Sequence, residues 1–183
     1  MSVDLHLPFT NPITGETFRC ISSSAEAYVT EWNVAPGGFV PFEHIHLAQE
    51  EVFHVRAGEL RAVIGGRERI VTAGESITMP QGVRQIAFNN KPEVLRCILE
   101  YRPGLDSATM FQCFGGLVHD GDIWKSGIAN PFKMLYFMRK ARARAIARPS
   151  YLSGPLFRLM LEVFFIVGSI AGWERLYRKY TGT

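Results

Sequence analysis

Two histidines one residue apart, His44 and His46, stand just before a pair of glutamates, Glu50 and Glu51. In an extended strand, residues i and i+2 point to the same face, so both imidazoles can aim at one point. A carboxylate from the next strand then completes a set of two nitrogens and one oxygen with positions left open. That arrangement suits iron(II) and similar divalent ions. Register selects the carboxylate. Over 51–57, Glu51 shares a face with Phe53 and Val55, whereas Glu50 shares the other with Val52 and His54. With Phe53 and Val55 facing the interior, Glu51 is the inward carboxylate; a one-residue slip would reverse the choice.

The spacing resembles a known family. Gly38, His44, His46, Glu51 and Gly58 fall on the pattern G-x5-H-x-H-x4-E-x6-G. Gly74, Pro80, Gly82 and Asn89 then fall on G-x5-P-x-G-x2-H-x3-N. These are the two motifs of the cupin superfamily. The opening Asn11-Pro12-Ile13-Thr14-Gly15-Glu16 and a tail with Asn130-Pro131 are similar to bacterial single-barrel cupins with helical C-termini. The resemblance implies a mainly β fold, the jelly-roll barrel or double-stranded β-helix, with a divalent metal on His44, His46 and Glu51. One position departs from the pattern: Gln85 stands where the second motif has its histidine. Glutamine ligates metal in some cupins, phosphomannose isomerases among them. Gln85 is thus a fourth, weaker oxygen ligand or a hydrogen-bonding group beside the site. Iron, manganese, nickel and zinc are not distinguished, and the fold alone assigns no reaction.

The elements that must position these residues begin with composition. At 183 residues and 47% hydrophobic content, the chain fits one domain with an appendage. Its net charge of +3 hides an asymmetry. Residues 1–104 carry nine basic and twelve acidic side chains; residues 105–183 carry eleven and five. A β-barrel with its N-terminal segment is expected over 1–104, and a helical extension packed on the barrel or on a partner chain over 105–183. Cys20, Cys97 and Cys113 are odd in number and scattered, with no disulfide or zinc spacing. The first twenty residues show no secretory pattern. A cytoplasmic setting is expected.

Short alternating segments separated by Gly and Pro turns run from 26 to 101, as in a sandwich or barrel. Tyr28, Thr30 and Trp32 share one side of a strand. Tyr28, Trp32, Phe53 and Leu99 are candidates for a pocket wall, with plain core packing as the competing reading. In the tail, Asp106 is expected to cap a helix over 106–118, Asn130-Pro131 to open a second running to about Ile146, and Ser153-Gly154-Pro155 a third. The third helix is apolar on nearly every side, yet Arg158 and Glu162 interrupt it, and Val163–Trp173 is too short to cross a bilayer. A layer on the barrel or a homodimer contact is expected to cover it, and a membrane surface is the minor alternative. No nucleic-acid motif accompanies the basic residues. Two functions stay open: a metal-dependent enzyme on a small organic molecule (dioxygenase, isomerase or lyase), or a small-ligand or metal sensor without turnover. No dedicated catalytic group is evident.

Overall fold

The protein is described by a computed structural model covering residues 2–183. Ten strands precede the tail: β1 (Phe9–Thr10), β2 (Glu16–Ser23), β3 (Tyr28–Val34), β4 (His44–His46), β5 (Glu50–Ala57), β6 (Glu59–Ile64), β7 (Arg67–Thr72), β8 (Ser76–Met79), β9 (Gln85–Phe88) and β10 (Leu95–Arg102). The tail holds α1 (Ser107–His119), α2 (Pro131–Lys140), β11 (Ala147–Pro149), α3 (Gly154–Ile170) and α4 (Glu174–Thr181).

The strands form two antiparallel sheets, in the orders β1-β2-β3-β10-β5-β8 and β11-β4-β9-β6-β7. Among the described residues no ladder joins the two, so the jelly roll is a pair of facing sheets and not a closed barrel. Alternation decides what each strand buries. In β3, Tyr28, Thr30, Trp32 and Val34 point inward; in β10, Leu95, Cys97, Leu99 and Tyr101 do. These join Phe53 and Val55 of β5, with Leu60, Ala62 and Ala87 from the second sheet, in the core between the sheets. Gly38 is needed where β3 ends against the N-terminal segment. A Cβ there would meet Val34 Cγ1 at 2.5 Å and the Thr14 carbonyl oxygen at 2.7 Å.

The tail builds a second core. Met110, Cys113 and Leu117 of α1 meet Tyr136 and Phe137 of α2 and Tyr180 of α4. Phe111 of α1 stacks on Tyr28, with ring centroids 4.9 Å apart, and α3 lies on α2 through Phe132–Phe164 at 4.5 Å. Two expectations are corrected here. Asp106 makes no side-chain cap on α1; its Oδ1 accepts from the backbone N–H groups of Arg144 and Ala145 at 2.8 and 3.1 Å. The second helix stops at Lys140, six residues short of Ile146, and Arg142 takes a left-handed φ of 51°. The released chain forms β11, which pairs antiparallel with β4: Ala147 opposite His46, Pro149 opposite His44. Proline is tolerated there because β11 is an edge strand. On the second sheet, Phe88 lies under the Arg61 guanidinium, 5.6 Å from its ring centroid.

No single helix is long and apolar enough to cross a membrane; α3 and α4 together pass by length and composition but are bent by 96°. The outer face of α3 is apolar and open: Leu159 and Ile166 are each 60% exposed, beside Leu156, Val163 and Ile170.

Candidate metal centre

His44 and His46 sit on the same face of β4, as the strand period requires, with ring centroids 5.0 Å apart. Glu51 enters from β5, where it pairs with Tyr101 of β10; Glu50 pairs with Arg102 instead. Glu51 Oε1 lies 3.4 Å from His46 Nε2, and Oε2 lies 4.0 Å from His44 Nε2. The candidate ligand atoms of these three residues all fall within 4.8 Å of one another.

The donor set fits a divalent cation. His46 is buried, and neither of its ring nitrogens has a hydrogen-bond partner. Leaving such groups unpaired in a buried site is costly, and a metal is one partner that relieves the cost. His44 Nδ1 lies 3.2 Å from the Phe42 carbonyl oxygen, which leaves Nε2 turned toward Glu51. Support of that kind fixes the tautomer and orientation of a ligating histidine. Burial, and next the neighbouring His46, lower the pKa of His44 and favour its neutral, lone-pair form. Burial pushes the Glu51 carboxyl up, but His46 and His44 outweigh it and hold the group below its ordinary value. Both residues thus rest in the protonation states a metal requires.

Gln85 is fully buried opposite His44. Its Nε2 donates a hydrogen bond to Glu51 Oε2, and its Oε1 has no partner. In this orientation its amide nitrogen faces the Glu51 carboxylate, and its oxygen stays free of any hydrogen bond. Trp32, Phe53 and Leu99 line a cavity of about 470 Å³ that reaches His44, His46 and Glu51. Tyr28 does not line it: Phe111 stacks over Tyr28 and screens it from the cavity. Arg61 pairs with Glu68 at 2.9 Å, His54 with Glu100 at 3.1 Å, and Asn89 holds a turn through three backbone carbonyls.

Two titratable residues of the cavity wall were not among the candidates the sequence offered. Glu16 is buried; its Oε1 accepts from Trp32 Nε1 at 3.1 Å and its Oε2 from Thr14 Oγ1 at 2.9 Å. Burial raises its pKa to about 7 against those two hydrogen bonds. Tyr101 packs on His46 with ring centroids 5.5 Å apart, and burial together with the Glu51 carboxylate pushes its hydroxyl pKa well above 10. Pairing of β2 to β3, which sets Glu16 opposite Val34, is the signal that could have placed Glu16 near the site.

Residues 30–100 match the family model described as a cupin domain. The span holds all three candidate ligands, Gln85 and both motifs; Glu16 and the tail lie outside it. Solved structures similar to this chain include a Klebsiella pneumoniae protein with a double-stranded β-helix domain, 22% identical, covering 52% of this chain and 84% of that one, TM-score 0.47. An RmlC-like cupin from Shewanella frigidimarina is 18% identical, covering 56% and 89%, TM-score 0.46. A sugar phosphate isomerase of the cupin superfamily from Silicibacter pomeroyi is 18% identical, covering 49% and 60%, TM-score 0.45. No curated protein matches this chain.

Proposed function

We propose that the protein is a metal-dependent enzyme acting on a small organic molecule, with His44, His46 and Glu51 as the ligands. The observation that carries this reading is the convergence of three buried donors on one end of a ligand-sized cavity, with both His46 ring nitrogens unpartnered. A divalent metal bound there would supply Lewis-acid or dioxygen chemistry. The chain supplies the rest. Gln85 and the Phe42 carbonyl orient Glu51 and His44. Tyr101 keeps its proton and can donate a hydrogen bond at the cavity wall. Glu16, poised near neutrality, can take or release a proton from Oε1 or Oε2. Helices of the tail supply much of the apolar wall of the cavity. Glu16 favours an enzyme over a passive sensor, because a sensor needs no group that exchanges a proton at neutral pH. Glu16→Gln tests this. Turnover of an identified substrate should fall by about 10²–10⁴-fold, the usual worth of a general acid or base, while metal content stays the same. Unchanged turnover would show that Glu16 is not the acid or base, and absence of any turnover in the metal-loaded wild type would favour the sensor reading.

We also propose a homodimer through α3. Leu156, Leu159, Val163, Ile166 and Ile170 alternate in steps of three and four, the seam spacing a second helix needs, and a single chain leaves them uncovered. A second copy presents the same seam.

A further inference from the structure

The cavity is polar at one end only. His44, His46, Glu51, Glu16 and Tyr101 gather on the sheet side. Gln49 and Ser107 also face it, but they satisfy each other: Gln49 Nε2 donates to Ser107 Oγ at 2.9 Å and to the Pro103 carbonyl. Away from that end the wall is apolar. Met79, Met110, Met134, Met138 and Met160 all line it, so every methionine of the chain after Met1 faces this one space. Methionine side chains are flexible and polarizable, and they adapt to ligands of varied outline. Among the described residues no lysine or arginine lines the cavity. A phosphate or a sugar would therefore lose its hydration without finding partners along most of the wall. The outer end is bounded by Trp124, Phe132 and Tyr151, three aromatic residues that are also exposed and so mark the mouth.

We infer that the cavity takes an elongated, hydrocarbon-rich molecule with a single oxygen function, an alcohol or carbonyl, at one end. Placing the oxygen at His44, His46 and Glu51 rests on the proposed metal centre; the apolar body lying between α1, α2 and α3 does not. A cavity of 150 Å³ holds benzene, so 470 Å³ accommodates on the order of 18 non-hydrogen atoms. The tail, which lies outside the cupin span, supplies much of the apolar wall, so it sets the ligand class.

The test is calorimetric titration of the full chain with straight-chain 1-alkanols of increasing length, with and without prior chelator treatment. Affinity should rise about fourfold per added methylene, then level off once the cavity is full. The rise should survive chelation, so failure to bind metal leaves the inference testable. Met134→Trp, which fills the cavity, should move the plateau to shorter alcohols, whereas Ile166→Ser on the outer face of α3 should leave the series unchanged. Affinity independent of chain length in both metal states would overturn the inference. So would a rise without a plateau, or one abolished by Ile166→Ser, since either places the alcohol on the surface. If Met134→Trp does not fold, the plateau in the wild-type series decides by itself.

Discussion

At the residue scale, the site depends on which side chains hold charge and which hold protons. Between pH 4.5 and about 7 the folded chain keeps a proton on Glu16 that the unfolded chain releases. Stability therefore falls as pH rises through this window, by about 3 kcal/mol in total, and the loss persists above it. Glu16→Gln is a neutral mimic of the protonated form. Its stability relative to wild type should grow from pH 4.5 to pH 8 in urea unfolding series; a pH-independent difference would contradict the burial argument. Gln85 donates its amide N–H to Glu51. Removing the amide donor in Gln85→Leu should weaken metal affinity by about 10–100-fold, the usual worth of a group that orients a ligand. Complete loss would indicate direct ligation, and no change would show that Glu51 needs no support. The triad was legible in the sequence because period-two alternation and the cupin spacing both converge on Glu51. Glu16 and Tyr101 were not, because they reach the site through pairing with β3 and β5, and long-range register leaves no local pattern.

At the element scale, the tail is tied to the strand that carries the histidines. β11 pairs with β4, and Asp106 receives two backbone N–H groups from the loop ahead of it. That capture explains why α2 ends at Lys140: the N–H groups of Arg144 and Ala145 bond Asp106 and not the preceding helical turn. The basic run to Ile146 had the composition of a continuing helix, and Ala147-Arg148-Pro149 is too short to show alternation, so neither the early stop nor β11 could be read locally. Helix starts were more legible, since the Asn130 side chain accepts from Phe132 N and Lys133 N at 3.2 Å and Ser153 from Leu156 N at 3.4 Å. Asp106→Ala should cost about 2 kcal/mol, because hydrogen bonds to a charged acceptor contribute about 1.5–3 kcal/mol. A chemical-denaturation midpoint equal to wild type would show that the loop is held by other contacts.

At the scale of the whole molecule, Phe18, Tyr28 and Tyr101 of the first sheet lie against Phe111 of α1, so the sheets and the tail share apolar surface. A chain ending near Gly104 would expose these rings and should aggregate or unfold; a stable, soluble fragment would show that the sheets stand alone. The outer stripe of α3 makes the complementary demand for a partner. Ile166→Glu should convert a dimer to a monomer by sedimentation velocity. Wild-type protein that is monomeric and needs detergent to stay dispersed would instead favour a membrane surface for that stripe. The central claim is the metal centre, and elemental analysis of untagged protein after supplementation with iron, manganese, nickel or zinc tests it most directly. About one divalent ion per chain is expected in the wild type and in Glu50→Ala, and none in Glu51→Ala. Wild-type protein that retains no metal, or retention that fails in Glu50→Ala and survives in Glu51→Ala, would contradict it.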